Sequence, residues 1–320
     1  MKKISIIIPL YNLEGLIGKC IASALDQDLP PEEYEVIVVD DGSTDGSLAA
    51  AQRAACGHAN VQVHAKPNEG VSLARNYGTE RAAGRYVMYV DADDYLSPSV
   101  LGGLTQIMDR ERLDMLCFDM AGVDEHGGDL PLWSDGLFAR GGGEVQSGRD
   151  FLRRDCFLPM ACAYLYDRAM LERHGLGMLP MRHEDEEFTP RAIYFAKRIR
   201  YVPIRAYNYL QHNGSFMGSY DPQRRSDFVR AMKSLTGFAA LIEESDPEGA
   251  RLMRLHVGKT MFFACKQTIL GRQGNAREML RDARQQGVMP LAFRRYNFRH
   301  FLINRAPALF VLYYRLHKRR

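Results

Sequence analysis

Tyr86-Val87-Met88-Tyr89-Val90-Asp91-Ala92-Asp93-Asp94 is an apolar run that ends in three carboxylates. Aromatic and β-branched residues in a short uninterrupted block read as a buried strand. Two carboxylates one residue apart at a rigid strand end can be aimed at the same hard cation, the kind that accompanies phosphate. The same arrangement occurs upstream, where Val36-Ile37-Val38-Val39 runs into Asp40-Asp41-Gly42-Ser43-Thr44-Asp45-Gly46. Ligands of open α/β sheets collect at the carboxyl ends of strands, so two acidic strand ends imply one shared crevice. Taken singly, Asp-Asp-Gly-Ser is also a helix-capping turn.

Outward from these ends the pattern repeats. Runs at Ile4–Ile8, Glu35–Val39, Val61–His64, Tyr86–Val90 and Met115–Phe118 predict strands, and segments of helical periodicity at Glu14–Leu25, Ser47–Ala55, Val71–Ala83 and Ser99–Arg110 separate them. Such alternation predicts an α/β fold: a mainly parallel sheet with helices on both faces. Gly122–Gly148 is rich in glycine and predicts loops with at most a hairpin. Beyond Tyr220 the pattern is helical, at Ser226–Glu244, Gly249–Leu270, Ala276–Gln286 and from Pro307 onward.

The 320 residues are 46% hydrophobic and 25% charged, an ordinary globular composition with a formal charge of only +3, which gives no general field for nucleic acid. The six cysteines, Cys20, Cys56, Cys117, Cys156, Cys162 and Cys265, have neither metal-finger nor redox spacing, and the expectation is free thiols in the cytoplasm. Lys2-Lys3 before Ile4–Ile8 does not read as a signal peptide, because Pro9, Asn12 and Glu14 interrupt it.

Five motifs then fall in order: Ile6-Ile7-Ile8-Pro9-Leu10-Tyr11-Asn12; Val39 to Asp45; Asn68-Glu69-Gly70 with Leu73-Ala74-Arg75-Asn76; Asp91 to Asp94; and His183-Glu184-Asp185. Together they closely resemble the family 2 inverting glycosyltransferases of GT-A fold. The resemblance implies a Rossmann-like GT-A domain over residues 1–220 that binds a nucleoside diphosphate sugar, followed by a helical region, 221–320, for acceptor, membrane or oligomer contacts. It also implies that Pro9 shapes the turn after the first strand, that Tyr11 stacks on the base and that Asn12 shares this donor loop. Asp40 and Asp41 would accept from base and ribose, which favours uridine, and Asn68 and Arg75 would lie near the phosphates or base. Asp93 would be the direct ligand of Mn2+ or Mg2+ with Asp91 also serving the metal, Asp91 and Asp94 would act through water, ribose or the donor sugar, and Ala92 would share the donor site. A divalent ion suits the chemistry, because charge on a departing diphosphate needs stabilising.

The acceptor hydroxyl must lose a proton as it attacks, so a carboxylate is needed within hydrogen-bond reach. By the resemblance Asp185 is that base and Glu184 orients the acceptor; by itself, Glu184-Asp185-Glu186-Glu187 is equally an acidic helix start that complements the helix dipole. A zinc-protease reading of His183-Glu184 fails for want of a second histidine at helical spacing. Tyr207 to Ser215 resembles the segment that closes the donor site, with Leu210 where many relatives are basic; His212 would then meet the metal or the diphosphate. Met160 to Tyr166 departs from the family on its acceptor side.

Leu309 to Tyr314, flanked by Arg305, Arg315, His317, Lys318, Arg319 and Arg320, reads either as a basic amphipathic segment on an anionic bilayer or as a packed helix with a charged tail, and the first is preferred. The resulting expectation is transfer of a hexose or N-acetylhexosamine to a capsule, exopolysaccharide or lipopolysaccharide glycan, free or lipid-linked, by a peripheral inner-membrane or cytoplasmic protein that could self-associate. Two alternatives remain. A sugar-phosphate nucleotidyltransferase would need a glycine-rich basic signature after its first strand, and a non-catalytic binding protein would not need the intact acidic set.

Overall fold

The computed structural model describes residues 2–132, 134–211, 222–271 and 275–317. The chain forms two compact units, residues 1–180 with 188–215, and residues 181–187 with 216–320.

The first unit is built on one sheet whose strands are β1 (Ile4–Leu10), β2 (Tyr34–Asp40), β3 (Val61–Ala65), β4 (Tyr86–Tyr89), β5 (Tyr95–Leu96), β6 (Met115–Val123), β7 (Asp129–Leu130), β8 (Tyr164–Asp167) and β9 (Ile199–Leu210). The order is β3-β2-β1-β4-β8-β6-β9-β5, with β7 paired to β6. β3, β2, β1 and β4 are mutually parallel, as the alternation predicts. β1 and β2 are buried along their whole length, which is why their sequences are mostly apolar rather than alternating; the polar interruptions Ser5 and Glu35 are paired, Ser5 Oγ donating to Glu35 Oε1. Beyond β4 the sheet is mixed: β8 enters antiparallel to both β4 and β6, β6 runs parallel to β9, and β5 returns antiparallel on β9. The glycine-rich stretch holds the β6–β7 hairpin, Gly122 opposite Leu130.

The helices α1 (Ile17–Leu25), α2 (Ser47–Ala55), α3 (Val71–Arg81) and α4 (Leu101–Glu111) follow the strands in turn, and α5 (Gly148–Arg154) and α6 (Arg168–Arg173) come later. α3 lies close on β1, since a Cβ added at Gly78 would be 2.5 Å from Ile7 Cγ2. The core joins Ile6, Ile8, Val36, Val38, Met88 and Val90 to Ile17, Ile21, Leu104 and Met108. Helix α7 (Glu184–Phe195) begins in the second unit and continues in the first.

The second unit carries α8 (Pro222–Leu241), α9 (Pro247–Gly271), α10 (Ala276–Gln285), α11 (Phe298–Arg305) and α12 (Pro307–Leu316). Its interior is made by Met232, Leu235 and Ala239 of α8, Met253, Val257 and Met261 of α9, and Met279, Leu280 and Ala283 of α10. A Cβ at Gly258 would be 1.9 Å from the Ala292 carbonyl, so α9 admits the 292 loop only because it has glycine there. Buried Asn304 pins that loop: its amide donates to the Leu291 carbonyl at 2.9 Å and its carbonyl accepts from the Leu291 N–H at 2.8 Å. α11 was not legible in the sequence; its cap is Asn297, whose Oδ1 accepts from His300 N at 3.1 Å.

Candidate functional site

β1, β2 and β4 end side by side. Leu10 is in register with Asp40 and Ile7 with Tyr89, so the residues after Leu10, Asp40 and Tyr89 emerge at one edge of the sheet. Pro9 is buried as the penultimate residue of β1, and Tyr11 emerges from it 46% exposed rather than entering the core.

Two loops at this edge are latched together. Asn12, in the left-handed region at φ 52°, accepts through Oδ1 from Thr44 N at 2.8 Å, and its own N–H donates to Ser43 Oγ at 3.1 Å. Leu13 N donates to Ser47 Oγ at 2.7 Å and Gly46 N to Glu14 Oε2 at 3.2 Å. Gly42 has φ +71° and a Cβ there would be 2.8 Å from Asn68 N, so glycine allows the loop carrying exposed Asn68 to approach the end of β2.

Asp40 and Asp41 have parted roles. Both are buried, but Asp40 Oδ2 accepts from Ser43 N at 3.2 Å while its Oδ1 has no hydrogen-bond partner among the described residues. Such an atom is costly to leave unpaired, and it marks an acceptor waiting for a donor group. Asp41 was grouped with Asp40 as an acceptor for base and ribose; its carboxylate is instead occupied by Lys66 Nζ at 2.6 Å, Glu69 N at 3.0 Å and Gly70 N at 2.7 Å. It holds the 66–70 loop at the start of α3.

The carboxylates after β4 also divide. Asp91 Oδ1 is 2.5 Å from Arg75 Nη2, and Arg75, on α3, is only 5% exposed. The Asp91 N–H donates to Tyr207 Oη at 3.1 Å, and Ala92 is buried beneath the turn. Asp93 is half-buried at the turn's tip. Asp94 is 2% exposed and turns inward: Tyr207 Oη donates to its Oδ2 at 2.6 Å and Leu210 N to its Oδ1 at 2.8 Å. Burial, then the charges of Asp93 and Asp91, push its carboxyl well above the usual range. Asp94, read from sequence as a group working through water or ribose, thus ties the turn to β9. Tyr207, fully buried on β9, is a member of the site that the sequence did not single out for this role.

Among the described residues no three His, Cys, Asp or Glu side chains gather as a metal cluster. With Asp94 committed inward, the turn offers Asp91 and Asp93. This donor set fits Mg2+ or Mn2+ held by one or two carboxylates plus substrate phosphates, and does not fit an all-protein cage. His212 lies outside the described residues. In the segment from Met160 to Tyr166, Tyr164 and Tyr166 are buried and donate to the Leu158 and Ala161 carbonyls at 2.7 and 3.0 Å.

The second acidic set starts α7. His183 precedes it at φ 67°, its ring edge-on to Phe228 at 5.3 Å, and burial followed by the Arg224 charge lowers its pKa to about 4. Glu184 is buried, Asp185 is half-buried with Oδ1 accepting from Glu186 N at 2.8 Å, and Glu187 is buried with Oε1 accepting from Ser234 Oγ at 2.8 Å. Glu186 Oε2 is buried without a hydrogen-bond partner among the described residues, and burial pushes that carboxyl up to about 7. Glu184 to Glu187 belong to the second unit, whereas Tyr11, Asp40, Asn68, Arg75, Asp91 and Asp93 belong to the first.

The exposed aromatic, the unpaired buried carboxylate oxygen and the arginine-tied acidic turn thus share the carboxyl edge of a parallel α/β sheet, where folds of this class bind their ligands. Residues 5–174 match the family described as Glycosyl transferase family 2, and the chain belongs to that family. It is 31% identical over 224 residues to the uncharacterized glycosyltransferase YibD of Escherichia coli, covering 67% of this chain and 62% of that one. It is 29% identical over 259 residues to the poly(ribitol-phosphate) beta-glucosyltransferase of Bacillus spizizenii, covering 79% of this chain and 39% of that one. The chain therefore matches less than two thirds of the length of these curated relatives. The crystal structure of Staphylococcus aureus TarS 1-349 in complex with UDP-GlcNAc matches with a TM-score of 0.74 at 23% identity, over 99% of this chain and 90% of that one. The fold is the GT-A fold expected from the motifs, followed by a helical region.

Proposed function

We propose that this protein is an inverting glycosyltransferase that moves a hexose or N-acetylhexosamine from a uridine diphosphate sugar to a hydroxyl of a growing surface glycan. The observation that carries the reading is the edge formed by β1, β2 and β4, where Tyr11, the open Oδ1 of Asp40 and the Asp91–Asp93 turn converge. Tyr11 offers a ring for the base to stack on. Asp40 Oδ1 accepts from a ring N–H, which a uracil imide supplies. Asp41 acts indirectly, by holding the loop that presents Asn68.

Asp93, with Asp91 beside it, would hold a divalent cation such as Mn2+ or Mg2+, which when bound supplies Lewis-acid stabilisation of the diphosphate. Arg75 orients Asp91 next to Asp93 at the end of β4. In the transfer, the acceptor oxygen forms the new bond to the anomeric carbon from the face opposite the leaving group. The bond from that carbon to the diphosphate oxygen breaks, and the hydroxyl proton passes to Asp185, with Glu184 orienting the acceptor. An α-linked donor then gives a β-linkage, in keeping with the beta-glucosyl and UDP-GlcNAc chemistry named for the relatives.

The test is calorimetric titration with uridine and guanosine diphosphates, with and without manganese, followed by a donor screen for release of nucleoside diphosphate. Manganese-dependent uridine diphosphate binding with turnover of a uridine diphosphate sugar is the expected result. Binding without turnover on any donor and acceptor would leave a non-catalytic nucleotide-binding protein.

A further inference from the structure

The last two helices expose what a globular surface normally hides. Of the eleven large hydrophobic side chains exposed among the described residues, six lie between Tyr296 and Leu316. α12 has two stripes: Phe310, Val311 and Tyr314 are buried, and Leu309, Leu312 and Leu316, at helical spacing, are 54%, 46% and 69% exposed. α11 repeats this, burying Leu302 and Ile303 while Phe298 and Phe301 face out. The ring of Phe298 meets that of Tyr313 edge-on at 6.3 Å, so the two outward stripes join in one patch. A contiguous apolar patch with a polar border marks an interaction surface.

The charge of the patch selects its occupant. From Gln285 to the last residue there are eight lysines and arginines and no aspartate or glutamate, while the rest of the chain is net acidic. Arg295, Arg299, Arg305 and Arg315 are all exposed around the apolar stripe. A two-fold contact between copies would set this cationic face against itself, and like charges across an interface oppose association. Apolar side chains bordered by basic ones of a single sign suit an anionic lipid surface, where leucine and phenylalanine enter the acyl boundary and arginine meets the headgroups. Among the described residues no helix is long and apolar enough to cross a membrane, so the contact is one of lying on the surface.

We propose that the joined outward faces of α11 and α12 dock the protein on an anionic lipid bilayer. The experiment is co-sedimentation of the full chain with phosphatidylcholine vesicles, with and without phosphatidylglycerol, over a range of salt. Recovery with the anionic vesicles should exceed that with neutral ones by about tenfold or more and fall steeply as salt rises from about 0.1 to 0.5 M. Phe301→Ser with Leu312→Ser, and separately Arg295→Glu with Arg299→Glu, should each abolish recovery while leaving the thermal transition unchanged, since all four side chains are exposed. Absence of recovery at low salt, or recovery that neither pair alters, overturns the proposal. A dimer that dissolves with the Phe301/Leu312 pair, without vesicle binding, assigns the face to a second copy instead.

Discussion

Tyr207 donates its hydroxyl proton to Asp94 Oδ2 at 2.6 Å and accepts from the N–H of Asp91 at 3.1 Å, so one buried phenol on β9 holds both ends of the acidic turn. Tyr207→Phe leaves the packing and removes both bonds. With a buried carboxylate oxygen then unpaired, the cost should be about 1–3 kcal/mol. Urea unfolding measures it, and a stability equal to wild type would mean the turn is fixed by other contacts.

Asp93→Asn tests the cation. The amide keeps the size of the side chain and removes its charge, so nucleotide affinity in the presence of manganese should fall by about tenfold or more, while affinity without metal changes little. Calorimetry with uridine diphosphate reads both. Equal metal-dependent affinity in the variant would move the ligand role to Asp91 alone.

Asp185→Asn tests the base. On the proposed reading the donor binds at the strand edge of the first unit, so its binding should be retained, while transfer should drop by about 10²–10⁴-fold. Single-turnover transfer with the donor prebound separates the two steps. A variant that still transfers at the wild-type rate would shift the proton to another of the four acids of α7.

What was legible in the sequence follows the range of the interactions involved. β1, β2 and β4 were readable because strands buried on both faces are predominantly apolar, and the composition of five residues reports that directly even with Ser5 and Glu35 among them. β9 was not: Pro203 and two arginines, Arg200 and Arg205, interrupt Ile199–Leu210, and its strand character comes from pairing with β6 along its length. The acidic clusters were visible as clusters, but their division of labour was not. Asp40 and Asp41 are adjacent, and only the fold brings Lys66, Glu69 and Gly70 to one and leaves the other open. Asp94 looks like Asp93 until β9 supplies a partner 113 residues away. Glu186 is one of four consecutive acids of which Glu184 and Glu187 are also buried; what sets it apart is a buried Oε2 that has no hydrogen-bond partner among the described residues, whereas Glu187 has Ser234.

That burial gives the last prediction its sign. The Glu186 carboxyl has its pKa raised from the ordinary 4.5 to about 7 in the fold, so between those values the native state keeps a proton that the unfolded chain has released. Stability from this group is full below pH 4.5 and is lost as pH rises through 7. Glu186→Gln keeps the shape and cannot ionise, so the variant should gain on wild type as pH rises. The gap should widen by something on the order of 2 kcal/mol from about pH 5.5 to about pH 8. His183, shifted the opposite way, is common to both proteins and drops out of the difference. Urea unfolding at the two pH values is the measurement, and a gap that stays constant between them would mean that Glu186 is solvated and ionises normally in the native protein.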